Sequence, residues 1–139
     1  SFRLPPRVRR IPPIGVPFVP SRSYGIEADV EYAAGDEGVL IIGSGLSFHN
    51  LRLFGDAGKA PSAQFGAWLQ ATMALPPAER SQALTDWAQA PAARQAHPRA
   101  DHLIPLMVAV GAAEGEAAAC TYHERDFFGG LTVSSFRLG

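Results

Sequence analysis

The chain has 139 residues, of which 47% are hydrophobic and 18% are charged. This length is enough for one hydrophobic core, and the composition excludes a highly charged disordered tail. Twelve basic and thirteen acidic residues give a net charge of −1, which is not the basic excess of a nucleic-acid-binding protein.

The single cysteine, Cys120, excludes an internal disulfide and fits a reducing, cytoplasmic location. No apolar run reaches the roughly 20 residues that a membrane-spanning helix needs, and no secretory signal follows the N-terminal arginines. We therefore expect a cytoplasmic chain that has neither a membrane nor a nucleic acid as its partner.

Residues 1–35 are predicted to form an irregular segment rich in proline and arginine. Six of the twelve prolines fall within residues 1–20, and no acidic residue occurs before Glu27. Proline fixes φ and removes backbone donors, so this stretch should be extended or irregular. It is either a basic arm for a phosphate or an acidic partner, or a poorly ordered terminus.

Residues 36–139 have the pattern of a packed α/β domain, for which we predict a mixed sheet with flanking helices. The β-branched run at residues 39–42 predicts a strand covered on both faces, and Gly43-Ser44-Gly45 then turns the chain. Ser62 is a candidate N-cap for a helix with an apolar stripe from Phe65 to Met73. Pro76-Pro77 opens a second helix.

The C-terminal part predicts a buried helix and two final strands. Residues 103–110 are apolar all round, with Pro105 in the first turn of the helix and Asp101 or His102 at or beside its N-cap. Residues 117–122 and 131–138 predict strands joined by a turn at residues 127–130. Cys120 is expected to be a small core residue of the first of these strands.

Two of the four histidines are candidate functional residues. His49 follows the predicted strand at residues 39–42, and sites in open α/β sheets gather at the carboxyl ends of strands. Imidazole suits both proton transfer near neutral pH and metal binding. His102 lies beside Asp101, which can orient an imidazole, and precedes an apolar run that excludes water. The alternatives are a turn histidine for His49 and a helix-capping histidine for His102.

The other two histidines are predicted to be solvated. His97 directly precedes Pro98 in a proline-broken loop, and His123 lies in the charged stretch Tyr122-His123-Glu124-Arg125-Asp126. We expect a loop position for the first and a turn position for the second.

Three stretches resemble one enzyme family. Residues 38–52 (GVLIIGSGLSFHNLR), 97–106 (HPRADHLIPL) and 129–137 (GGLTVSSFR) are similar, in this order, to motifs of the class III extradiol ring-cleavage dioxygenases of the DOPA 4,5-dioxygenase type. The resemblance covers roughly residues 36–139 and implies the C-terminal portion of such a domain.

The resemblance implies an oxidoreductase that inserts dioxygen into a catechol at a non-haem metal, Fe(II) or Zn(II). His49 then corresponds to a residue that stands beside the metal as catalytic acid/base or additional ligand, and His102 corresponds to a metal ligand. A metal lowers the pKa of a catechol hydroxyl, and a nearby imidazole can take the second proton.

The same resemblance implies an incomplete site. The family's first metal-binding histidines lie in an N-terminal half, whereas residues 1–35 here contain no histidine. An iron site of this kind needs two histidines and a carboxylate, for which Glu27, Asp29 or Glu31 are the acidic residues at hand. The alternative function is therefore a non-catalytic relative, or a subunit that needs a partner chain and self-associates through uncovered sheet edges.

Overall fold

The structure, a computed structural model, describes residues 40–113 and 115–139. The chain divides into two units, Ser1–Ala33 and Ala34–Gly139, and every described residue lies in the second unit. The predicted Pro/Arg-rich segment at residues 1–35 lies outside the described residues, as do its three candidate carboxylates.

The described part of the chain holds four α-helices followed by a β-hairpin. The helices are α1 (Asp56–Met73), α2 (Pro77–Thr85), α3 (Ala93–Ala96) and α4 (Ile104–Ala112), and the strands are β1 (Ala118–Phe127) and β2 (Leu131–Leu138). The α/β class is as predicted. The two strands pair antiparallel, so the described sheet is a hairpin rather than a mixed sheet.

The hairpin follows the prediction closely. Its strands run in register from Phe127 opposite Leu131 to Ala118 opposite Leu138, with two irregularities in β1. Phe128, Gly129 and Gly130 all have positive φ, which explains the glycine pair at the turn. Cys120 lies in β1 but is exposed, which corrects the core assignment. Cys120 pairs with Phe136 near the end of the hairpin, where the described elements leave its side chain open to solvent.

Helix α1 begins earlier than Ser62. It starts after Gly55, carries Asp56 in its first turn and contains Pro61. Pro61 is the sixth residue of the helix, so it removes one intrahelical hydrogen bond and its ring crowds the preceding turn. Ser62 is consequently a buried residue inside the helix and not its cap. Helix α2 begins at Pro77, as predicted.

Helix α4 has Pro105 in its first turn, as predicted, with Leu103 as N-cap and His102 next to it. The prediction of a buried helix is wrong, because Val110 is its only buried residue and the other apolar side chains of the first two turns are half-buried. One side of α4 packs on the core, and no described element covers the other side.

The core lies between α1 and the elements that follow it. The stripe Phe65, Leu69 and Met73 of α1 is 0–2% exposed, and β2 packs against this helix through Leu131. The other core residues are Phe48, Leu84, Trp87, Ala93, Ala96, Leu103 and Val110. Each fully buried aliphatic or aromatic side chain contributes about 1.5–3 kcal/mol of transfer free energy.

Two serine hydroxyls accept hydrogen bonds from the backbone at the outer edge of β2. The amide of Thr132 donates to Ser62 Oγ at 3.0 Å, and the amide of Ser134 donates to Ser47 Oγ at 2.9 Å. The backbone N–H groups of residues 132 and 134 both point away from β1, because alternate residues of a strand direct their backbone groups to the same side. These bonds attach β2 to α1 and to the segment that precedes His49.

The predicted strand at residues 39–42 is absent from its described part. Leu40, Ile41 and Ile42 form no strand, and their side chains are 80%, 40% and 79% exposed. Val39 lies outside the described residues. A strand needs a partner for its backbone groups, and the nearby edge of β2 bonds to Ser62 and Ser47 instead.

No helix in residues 40–113 or 115–139 is long and apolar enough to cross a membrane.

Replacing Ser62 tests the attachment of β2 to α1. Ser62→Ala leaves the buried amide of Thr132 without an acceptor, so we expect the free energy of unfolding to fall by about 1–3 kcal/mol. Chemical denaturation of the full chain measures this loss. Ser81→Ala, the same change at a half-buried position of α2, should cost less than about 0.5 kcal/mol. Equal losses in both variants would contradict the assignment.

Candidate functional site

The two predicted histidines come together. The imidazole rings of His49 and His102 are stacked with their centroids 3.3 Å apart and their planes inclined by 19°. The two residues are 53 positions apart in sequence, so the fold creates this pair. His49 is half-buried and His102 is exposed.

His49 is held by its backbone and by its neighbours. Its amide donates to the carbonyl of Ala96 at 2.9 Å, and the side-chain amide of Asn50 donates to the carbonyl of Gln95 at 2.9 Å. Phe48, which is 1% exposed, anchors the segment in the core. The segment is therefore docked on the C-terminal end of α3.

His102 is positioned by the close approach of two backbones. A Cβ on Gly45 would collide with the carbonyl oxygen of His102, and a Cβ on Gly43 would collide with the carbonyl oxygen of Pro105. Glycine is required at both positions because only a bare backbone fits there. This is the physical role of the Gly43-Ser44-Gly45 motif in the described fold. It brings the segment before His49 against the start of α4.

His97 lies beneath the pair and corrects the sequence prediction. It is 0% exposed, its Nε2–H donates to the carbonyl of Ser47 at 3.1 Å, and its ring packs edge-on against Phe65 and Trp87. Its Nδ1 has no partner among the described residues. Burial, together with the charges of His49 and His102, lowers the pKa of His97 to about 4, although the hydrogen bond to Ser47 opposes this shift. His97 is thus neutral at pH 7.

A signal for the buried position of His97 does exist in the sequence. Ala93, Ala96 and His97 follow helical spacing, so His97 continues the face on which both alanines are buried. Alanine is a weak indicator of a core face, whereas the adjacent Pro98 is typical of a loop. The sequence therefore predicts a solvated position for His97. Ser47 was missed entirely, and its sequence neighbourhood gives no signal.

The charges around the pair act mainly on His49. Burial lowers the pKa of His49 below its usual value, a positive charge on His102 lowers it too, and Asp101 opposes both effects. Asp101 forms an exposed ion pair with Arg99, Oδ2 to Nε 3.8 Å, and within the described residues no hydrogen bond joins it to an imidazole. The expected orienting role of Asp101 is therefore replaced by an electrostatic one. A neutral His49 can accept a proton at pH 7.

A groove of about 540 Å³ runs from His102 between α4 and β2. Its polar groups include His102, Ser47 and Ser134. The apolar residues that line it include Leu40, Ile41, Ile42, Leu103, Leu106, Phe136 and Leu138. Ser135, Glu116 and Arg137 line it as well, so the groove combines apolar walls with polar and charged groups, as sites for small organic molecules do.

The described residues do not complete a metal site. Within residues 40–113 and 115–139, no group of three His, Cys, Asp or Glu side chains is placed to hold an ion. The stacked geometry also disfavours a shared ion, because the lone pairs of imidazole lie in the ring plane, and two planes 3.3 Å apart and inclined by only 19° do not meet within coordination distance of both rings. The pair supplies two ligands at most, and only after a ring rotates.

His123 is outside this site and lies in β1 rather than in a turn, although it is exposed as predicted. Its Nε2 accepts from Arg125 Nε at 3.0 Å, and its Nδ1 is 3.0 Å from Ser134 Oγ and 2.6 Å from Gln70 Nε2.

Comparison with known proteins gives no relative for this chain: no family model matches it, and no curated protein or solved structure is similar to it.

The charges around His49 predict how its titration responds to substitution. We expect His49 to titrate below pH 6.5, to shift upward in His102→Ala and to shift further downward in Asp101→Asn. His102→Ala exposes His49 and removes the positive charge that lowers its pKa. Asp101→Asn removes the carboxylate that raises it. Proton NMR of the imidazole resonances measures all three values. His123→Ala should leave the midpoint unchanged, and unchanged midpoints in all variants would contradict the pairing.

Burial of neutral His97 predicts a loss of stability in acid. The folded-state pKa of about 4 lies below the unfolded value of 6.5. The contribution of neutral His97 to the free energy of unfolding is therefore fully present above pH 6.5 and is lost as the pH falls toward 4. The full loss is on the order of 3 kcal/mol. Denaturation between pH 7.5 and pH 4 measures it. His97→Gln should flatten this pH dependence, whereas exposed His123→Gln should not, and identical slopes would contradict the prediction.

Proposed function

We propose that this chain is the C-terminal portion of an extradiol aromatic ring-cleavage dioxygenase-like domain, an oxidoreductase whose substrates are a catechol and dioxygen. The proximity of His49 and His102 carries this proposal. The family resemblance ties these two histidines to one site, and their rings are 3.3 Å apart.

The groove beside His102 supports the same function. Its apolar walls fit the aromatic ring of a catechol, and the histidines at its end suit the ring's hydroxyl groups. His49, whose pKa is lowered by burial and by His102, is the proton acceptor in this proposal, and His102 is the candidate ligand of Fe(II) or Zn(II). When bound, such a metal acts as a Lewis acid toward the catechol hydroxyls.

A complete set of metal ligands requires side chains from outside the described residues. Since residues 40–113 and 115–139 supply only the His49 and His102 pair, the remaining ligands in this proposal come from outside them. We expect little or no ring cleavage from the chain alone. A cytoplasmic setting accords with the function and with the free, exposed thiol of Cys120.

Uncovered apolar surface favours a second candidate, a non-catalytic subunit that self-associates or needs a partner chain. Leu40 and Ile42 are about four-fifths exposed, and the apolar side chains of α4 are only half-buried. By strand alternation the backbone groups of Phe136 and Leu138 face the same outer edge as Ser134. An apolar surface beside an open strand edge is a place for a further strand to pair.

Metal titration tests the first candidate. We expect anaerobic calorimetry of the full chain to show weak binding of Fe(II) or Zn(II), and affinity to fall roughly tenfold or more in His49→Ala and in His102→Ala. His123→Ala is the matched control, because this exposed histidine lies outside the stacked pair, and it should bind as the unchanged chain does.

Three outcomes separate the candidates. Equal affinity in all variants would overturn the ligand assignment. Strong ring cleavage by the chain alone, lost in both stacked-pair variants, would show that the site is complete. No metal binding, together with a concentration-dependent association that Ile42→Asp abolishes in sedimentation, would favour the non-catalytic subunit.

A further inference from the structure

Arg80 of α2 is a buried cation. It is 1% exposed and is the largest fully buried side chain among the described residues. Arginine stays protonated at any pH that a folded protein meets, so its charge persists in the interior. An isolated buried charge is strongly destabilising unless an opposite charge and hydrogen bonds compensate it.

The described residues compensate the buried charge of Arg80 only in part. Arg80 Nη2 donates to the carbonyl oxygen of Glu116 at 2.8 Å, and Arg80 Nε has no acceptor. No carboxylate in residues 40–113 or 115–139 forms an ion pair with it. The C-terminal turn of α1 lies nearby and supplies at most about half a negative charge. The carboxyl group of Glu116 lies toward Gly139 instead.

A pocket of about 370 Å³ is lined in part by Arg80. Among the described residues that line it, Arg80 is the only basic one. The other side chains are those of Met73, Ala74, Leu75, Pro76, Pro77, Glu116, Ala117 and Ala118, with Gly115 contributing backbone. The wall is therefore apolar apart from Arg80, Glu116 and the backbone.

We propose that this pocket binds a small organic carboxylate, with the anion paired to Arg80 and its apolar body against Met73, Leu75 and the two prolines. A carboxylate matches the planar guanidinium and supplies the missing charge. One cation balances a single negative charge, which favours a carboxylate over a doubly charged phosphate. Apolar walls favour a hydrocarbon body over a bare inorganic ion.

Thermal denaturation of the full chain with sodium benzoate tests this site. Binding to the folded state alone raises Tm, and we expect a saturable rise on the order of 5 °C at a hundredfold excess over Kd. Benzamide, which has the same shape without the charge, and sodium chloride at equal ionic strength should give no such rise. Sodium phosphate should give a smaller one.

Three variants localise the effect. Arg80→Met removes the charge but keeps the length of the side chain, and it should abolish the response to benzoate. Arg94→Met removes an exposed arginine elsewhere and should preserve it. Ala74→Phe narrows the pocket from an exposed position without altering Arg80, so it should weaken the response even where Arg80→Met does not fold.

The proposal is overturned by any of three results. The first is no response of the unchanged chain to benzoate. The second is an equal response to benzamide, which would indicate apolar binding alone. The third is a response to benzoate that Arg80→Met and Ala74→Phe both leave unchanged, which would place the binding elsewhere. None of these measurements involves a metal, so they are independent of the test of His49 and His102.

Discussion

The hydrogen bonds of Ser47 are the constraint on which the site depends. Its hydroxyl accepts from the amide of Ser134, and its carbonyl accepts from the buried imidazole of His97. A buried N–H without an acceptor is costly, so each of these bonds fixes the elements that it joins. Ser47 thereby attaches the chain before His49 both to β2 and to the end of α3. Phe48 is buried directly after Ser47, so the direction in which the chain leaves the core at His49 is fixed.

The pairing of His49 with His102 follows from this anchoring together with close backbone contact. Gly45 lies against the carbonyl of His102, so the two histidines arise from segments that touch through their main chains. His97 then fills the space below them between Phe65 and Trp87. The charges of His49 and His102 lower the pKa of His97, and the charge of His102 lowers the pKa of His49. A site built in this way is well suited to handling protons, whereas coordination would require the stack to open.

The sequence predicts those features that local chemistry decides. The proline at the start of α2, the proline in the first turn of α4 and the glycine turn of the hairpin each follow from backbone restrictions on a single residue type. The convergence of His49 and His102 came from motif resemblance, not from spacing. Ser62, His97 and residues 40–42 were misassigned because tertiary partners determine their states. Ser62 bonds to a strand 70 positions away, and the run at 40–42 is not paired with a strand in the described fold.

The exposed position of Cys120 on β1 has a practical consequence for studies of this protein. Its thiol donates only to the carbonyl of Tyr122, two residues away, and is open to solvent. It is the single cysteine of the chain, so oxidation joins it to another molecule and never to a second site on the same one. Preparations kept without a reductant would accumulate crosslinked pairs, which imitate a native assembly in any size measurement. Alkylation of this one sulfur removes that artefact and equally provides a unique attachment point for a spectroscopic label.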